Sequence, residues 1–313
     1  MEVYEHSTRF AGYRVVEWRP GHPLAQAETT AYRIGQAWDE KHALPWPAKL
    51  DAFLADPASR QVPALVVGPW WDLDEGTAGT VELVVSALVA AQARLPSLTA
   101  LFLGDVVSEE NEISWIEQGD LSPLLTAYPQ LKQLCVRGGN GLHFGPVQHA
   151  QLTTLIVQAG GLSPEVVQDV VGADLPALEH LELWLGTPDY GGDATVADLQ
   201  PLLAGSRFPR LRYLGLRDSE IADEIATALA GAPILERLQV LDLSLGTLGD
   251  LGAEALLASP AIRRLTRLDL HHHYCSEAMM ARLQALPIAV DTSDRQAVED
   301  GDDESARFVA VGE

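Results

Sequence analysis

The sequence predicts an α/β solenoid, a curved coil with parallel strands on its concave face and helices on its convex face. Three observations predict it. A hexad L-x-x-L-x-L starts at Leu98, Leu131, Leu152, Leu178, Leu211, Leu238 and Leu265, with Leu or Val at its fourth and sixth places. Between hexads the apolar pattern changes from alternation to helical spacing, as in VELVVSALVAAQARL, where Val81, Val84, Val85, Leu88 and Val89 share one helical face. Hydrophobic residues make up 47% of the chain but aromatics only 6%, which suits many similar small layers of Leu, Val and Ala better than one large core.

Successive hexads start 33, 21, 26, 33, 27 and 27 residues apart, close to the period of about 20–29 residues expected of leucine-rich repeats. The two longest units carry insertions. Parallel strands joined by right-handed helical crossovers stack into one sheet, giving a leucine-rich-repeat horseshoe with the hexad leucines between its layers. Leu214 and Leu241 are therefore core residues, each worth about 1.5–3 kcal/mol on burial.

In chain order, residues 1–60 read as an atypical capping region that blunts the sheet edge. TTAYRIGQAW predicts a strand and PAKLDAFLA a short helix, while Trp18, Trp38, Trp46, Trp70, Trp71 and Trp115 crowd the first 115 positions. The solenoid occupies 61–290, opening with a weaker hexad at Val62, Leu65 and Val67. Ser163 before Pro164, and Ser276 before Glu277, predict two helix starts. Ile288 to Val290 reads as a last strand, and after Asp291 the periodicity stops. Residues 291–313 read as a flexible acidic tail.

Alternation along each strand turns the third and fifth places, and the residue after the hexad, toward the concave face. These rows read Ala100, Gln133, Thr154, His180, Tyr213, Val240, Arg267; then Phe102, Cys135, Ile156, Glu182, Gly215, Asp242, Asp269; then Gly104, Arg137, Gln158, Trp184, Arg217, Ser244, His271. The later repeats gather His180, Glu182, Trp184, Tyr213, Arg217, Asp242, Arg267, Asp269 and His271, the mix of large rings, Arg and complementary charge found at protein-binding hot spots.

A net charge of −23 argues against nucleic acid and anionic membranes, since both are bound through clustered Lys and Arg. Much of it is local, because Asp291, Asp294, Glu299, Asp300, Asp302, Asp303, Glu304 and Glu313 face only Arg295 and Arg307. Cys135 and Cys275 stand far apart and read as free thiols. The chain opens without a basic and apolar leader and holds no run of about 18 apolar residues, so a soluble, cytoplasmic protein is expected. SEENE (Ser108 to Glu112) and the insert Thr187 to Asp198 lack the calcium-loop spacing and read as solvated inserts. GGNG at Gly138 lacks a phosphate-loop Lys, and no G-x-S-x-G elbow is present. In His271-His272-His273 only the outer two share a face, and polar packing after the last hexad is expected rather than a metal. No cofactor is expected.

LEHLELWLGTPDYGGDATVADLQPLLAG, LRYLGLRDSEIADEIATALAGAP, LQVLDLSLGTLGDLGAEALL and TRLDLHHHY together resemble a bacterial leucine-rich-repeat family with ribonuclease-inhibitor-like repeats. The Asn usual after the hexad is replaced by Gly186, Ser219, Gly246 and His273, which argues against a regular asparagine ladder. The resemblance implies no enzymatic activity. It implies a setting beside radical S-adenosylmethionine (SAM), ATP-grasp-like and hydrolase-like enzymes, and a short aromatic-Val-Ala-Val-x-Glu terminus.

The expected function is thus a non-enzymatic interaction scaffold of a bacterial modification or biosynthetic pathway. Its concave face would be recognised by a radical SAM or ATP-grasp-like partner, and its tail would present Phe308, Val309, Ala310, Val311, Gly312 and Glu313 for docking or modification. Two alternatives stand beside it. One is an adaptor or inhibitor that clasps a partner in the horseshoe with an inert tail; the other is an enzyme using Asp242, Asp269 and His271.

Overall fold

A computed structural model describes residues 3–36, 44–71, 80–297 and 307–312. Trp38, residues 298–306 of the acidic tail and Glu313 lie outside the described residues. The sheet opens on a hairpin in which β1 (Arg9–Phe10) runs antiparallel to β2 (Tyr13–Glu17). Ten parallel strands follow in chain order: β3 (Thr30–Ile34), β4 (Ala64–Val67), β5 (Ala100–Leu103), β6 (Gln133–Arg137), β7 (Thr154–Gln158), β8 (His180–Gly186), β9 (Tyr213–Ser219), β10 (Val240–Asp242), β11 (Arg267–Asp269) and β12 (Ala289–Asp291).

Helices return the chain on the other side: α1 (Trp46–Leu54), α2 (Val81–Ala91), α3 (Ser122–Ala127), α4 (Pro164–Gly172), α5 (Val196–Leu203), α6 (Ala222–Ala230), α7 (Asp250–Ala258) and α8 (Glu277–Gln284). This is the expected leucine-rich-repeat solenoid. One continuous apolar core runs between strands and helices from Trp18 to Leu286, with Leu214 and Leu241 wholly buried in it.

The register is that of the hexads. Ala100 pairs with Gln133, Gln133 with Thr154, Thr154 with His180, His180 with Tyr213, Tyr213 with Val240 and Val240 with Arg267. The weaker copy joins in step, Leu65 lying opposite Leu101. A one-residue slip would turn every leucine to the wrong face, so the buried face fixes the register. Both helix starts read from the sequence are present. Ser163 Oγ accepts from Val166 N at 3.4 Å and Ser276 Oγ from Met279 N at 3.2 Å.

The place of an asparagine ladder is taken by close backbone approach. A Cβ on Gly186, whose φ is +67°, would stand 1.8 Å from the Gly160 carbonyl oxygen, so no side chain fits there. At the last repeat His273 fills the position instead. Its Nδ1 accepts from Cys275 N at 3.0 Å and its Nε2 lies 3.2 Å from Thr292 O, and burial lowers its pKa. His273 is a neutral structural group of the turn.

One expectation is corrected. Phe102, Cys135 and Ile156 face the concave side yet are buried, in a second apolar cluster with Phe10, Ala31, Ala64, Val66 and Ala100. Phe10 belongs to β1 at the sheet edge, but its ring lies 5.7 Å from Phe102 of β5, four strands away in the sheet order. The hairpin therefore folds over the concave face. Ser7 N donates to Asp105 Oδ1 at 3.2 Å, which carries the cover further along the sheet. Alternation tells which side a residue faces; it does not tell what covers that side.

The tryptophans of the first 115 positions divide between roles. Trp18, Trp46 and Trp70 are buried in the main core, Trp46 donating to Ile34 O at 2.9 Å, whereas Trp115 is 63% exposed. Among the described residues no helix is long and apolar enough to cross a membrane.

Candidate protein-docking face and its rim

Strands β8 to β11 place the predicted residues side by side, and most of them pair with one another. Arg217 is the hub. Its Nη1 donates to Glu182 Oε1 at 2.9 Å, its Nε donates to Ser244 Oγ at 2.9 Å and lies 3.4 Å from Asp242 Oδ2, and its guanidinium sits 5.1 Å from the Trp184 ring centroid. Trp184 Nε1 donates to Glu182 Oε1 at 2.7 Å, Tyr213 OH donates to Asp242 Oδ2 at 2.6 Å, and His180 stacks on Tyr213 with centroids 3.8 Å apart. Burial alone would raise the pKa of Glu182, but bonds from His180 and Trp184 and the Arg217 charge bring it down to about 2.

A second group forms on β11. Arg267 Nη2 donates to Asp269 Oδ2 at 2.6 Å, and His271 Nδ1 lies 2.7 Å from Asp269 Oδ1. Burial opposes ionisation of Asp269, yet these partners hold its pKa at about 2, and the bond to Asp269 raises that of His271. Among the described residues no cluster of three or more His, Cys, Asp or Glu is arranged to hold a metal ion.

The expected hot spot thus separates into two layers. Glu182, Trp184, Arg217, Asp242 and Asp269 are buried and satisfied by their neighbours, so they are not contact residues. Above them His180, Tyr213, Val240 and His271 are half-buried, and the side chain of Arg267 is 51% exposed. These five form the accessible part of the face.

Sequence reasoning missed a buried charge cluster under the hairpin. Arg33 donates through Nε to Asp105 Oδ2 at 2.9 Å and through Nη1 to Glu17 Oε2 at 2.8 Å, with Glu110 Oε1 3.7 Å from Nη2. Glu110 belongs to SEENE, expected to be solvated, but its side chain is only 7% exposed. A lone Arg in a capping strand carries no sequence signal of a partner some seventy residues ahead, the Arg33 to Asp105 bond spanning 72 residues.

The rim of the face holds the segment expected to be a free tip. Arg307 Nη1 donates to Asp223 Oδ2 at 3.1 Å, Ala310 N donates to Leu245 O at 2.8 Å, and Val311 N donates to Asp218 Oδ1 at 3.0 Å. Ser114 Oγ donates to Gly312 O at 2.8 Å. Val311 is buried with Val3, Ile113 and Trp184, while Phe308 is 71% exposed. A run of small apolar residues gains more from an apolar seat than from water, a gain that the acidic composition of the stretch before it conceals.

Fold and face together define a leucine-rich-repeat solenoid whose concave side is half closed by its own chain, a class that fits protein interaction in general. Among solved structures the chain is similar to a protein from Bacteroides fragilis, with 32% sequence identity and a TM-score of 0.81 over 90% of this chain and 77% of that one. It belongs to the same family as that protein. It is also similar to an internalin from Listeria monocytogenes, with 14% identity and a TM-score of 0.42 over 88% of this chain and 62% of that one. No family model matches the chain, and no curated protein matches it.

Proposed function

We propose that this chain is a non-enzymatic, cytoplasmic interaction scaffold of a bacterial modification or biosynthetic pathway. Its partner, a radical SAM or ATP-grasp-like enzyme, contacts the concave face at His180, Tyr213, Val240, Arg267 and His271 and takes up residues 308–313 for docking or modification. The observation that carries this reading is the juxtaposition of the accessible concave patch with a segment held at its rim, Phe308 pointing outward at 71% exposure. The carboxylates that an enzyme would use, Glu182, Asp242 and Asp269, are already paired with Arg217 and Arg267, which favours scaffold over catalyst.

Co-expression with the enzymes encoded beside it, followed by intact-mass measurement and co-purification, tests the proposal. A mass change confined to residues 307–313, or loss of the complex when those residues are removed, supports it. An unchanged mass together with a complex indifferent to that deletion refutes it and leaves the adaptor that clasps a partner with an inert tail. The adaptor draws support from the accessible Arg267, and Arg267→Glu should weaken its complex.

A further inference from the structure

Residues 307–312 do not rest on the body at random points. The position seven residues after each hexad start is Asp218, Leu245 and His272 in the last three repeats, and all three have left-handed backbone, with φ of +51°, +67° and +57°. Each meets the segment once. Val311 N donates to the Asp218 carboxylate, Ala310 N donates to Leu245 O, and His272 Nε2 lies 3.3 Å from Phe308 O. Tyr274 OH adds a bond from Phe308 N at 2.9 Å.

Phe308, Ala310 and Val311 take one repeat each, across the two strand spacings, about 9.6 Å, from β11 to β9. The segment bends at Ala310 and forms no strand, so separate contacts to successive repeats hold it rather than a ladder. Side chains then sort by face: Val311 is buried against Trp184, Ile113 and Val3, while Phe308 stays outside. A cleft of about 690 Å³ continues beside it, lined by Tyr4, Thr187, Tyr190 and Glu220 among others.

Asp218 points to a ligand independently of the segment's path. Its carboxyl is wholly buried, one oxygen receives Val311 N, and the other has no hydrogen-bond partner among the described residues. Without a peptide donor above it, this left-handed, desolvated carboxyl would be a cost with no return to the core.

We propose that the rim across the carboxyl ends of β8 to β11 is a peptide-binding groove, selective for a peptide with a small branched aliphatic residue between Trp184 and Ile113, and that its resting occupant is residues 307–312 of the same chain. Presentation to a partner then requires release from this seat. That last step rests on the function proposed above; the groove does not.

Hydrogen–deuterium exchange and peptide binding on the full chain test it. In the wild type the amides of Ala310 and Val311 should exchange about tenfold or more slower than in the free peptide, and Val311→Asp should abolish that protection while β6 to β9 keep theirs. A fluorescein-labelled peptide of residues 306–313 should bind the Val311→Asp protein about tenfold or more tightly than the wild type, whose seat is filled. Adding Asp218→Ala to Val311→Asp should weaken that binding, and a scrambled peptide should not bind. The groove is refuted if wild-type amides exchange as fast as the free peptide, or if the labelled peptide binds neither protein. Protection that appears only in a concentration-dependent dimer would overturn the assignment of the occupant to the same chain. These rates decide the groove whatever the mass of the co-expressed protein, and that mass decides presentation whatever the rates.

Discussion

Replacing Arg217 with Met removes the charge that makes the concave face foldable. Arg217 is 11% exposed and bridges Glu182 and Asp242, whose side chains are 8% and 5% exposed. Removing one partner of a buried ion pair costs about 3–5 kcal/mol, because the remaining charge stays desolvated without compensation. The contact with the Trp184 face adds roughly 1 kcal/mol. With an unfolding entropy of about 2.1 cal/mol/K per residue over 313 residues, each kcal/mol shifts Tm by about 1.5 °C, so Tm should fall by about 6–9 °C. Thermal and urea unfolding followed by circular dichroism measure this.

Two controls isolate the cause. Arg282→Met removes an exposed ion pair with Glu254, where solvent screens the charges, and should leave Tm unchanged. Arg217→Met combined with Glu182→Gln should recover part of the loss, since the stranded charge is gone. A Tm for Arg217→Met within about 2 °C of wild type would refute the account of the network as a buried, mutually dependent unit.

Five further outcomes follow from the same structure. Glu182 and Asp269 are both held at a pKa of about 2, below 4.5 and 3.8, so their stabilisation is present above those values and is lost as pH falls toward about 2. The raised pKa of His271 acts in the other direction: its contribution is present below 6.5 and is lost as pH rises through its folded value, so Tm measured against pH should show His271→Gln losing its deficit at alkaline pH. Gly186→Ala should destabilise by more than about 2 kcal/mol in urea unfolding, given the clash and the positive φ. Gly172→Ala at the end of α4, with nothing within 4 Å, should be neutral or stabilising. Cys135 and Cys275 are buried and free, with burial pushing Cys275 to about 12 and Cys135 higher still, so iodoacetamide at pH 8 should leave native protein unlabelled by mass spectrometry and label both thiols in urea.

The repeats were legible because their signal is periodic and local. The leucines of each hexad and the caps at Ser163 and Ser276 follow from residues a few places apart, and the pairing of Tyr213 with Val240 from the repeat period. What escaped was every contact that closes over a face. Phe10 on Phe102, Ser7 on Asp105, Arg33 on Asp105 and Val311 on Asp218 join residues 72 to 98 positions apart in the cases of Arg33, Val311 and Ser7. No period links such residues. Alternation placed the charged rows of β8 to β11 on the concave side, but their composition gave no way to separate the groups that Arg217 pairs with inside the fold from the groups left accessible.

That separation constrains what a visitor must do. The accessible patch crosses β8 to β11, three spacings or about 14 Å, and extends along each strand from the third place to the residue after the hexad, about 13 Å. Its area is thus of order 200 Å², against about 800 Å² that each partner contributes to a stable interface. The hairpin, anchored at Phe10 on Phe102, blocks growth toward β5. The open direction includes the rim, where residues 307–312 lie. A protein seated on His180, Tyr213, Arg267 and His271 with enough area to hold would therefore reach the segment as well. Under the proposed function, binding on the face and the state of the segment are coupled, and a partner that takes up the released segment should bind the wild type, with Val311 seated on Asp218, more weakly than an Asp218→Ala chain, whose segment keeps its own residues but loses that anchor.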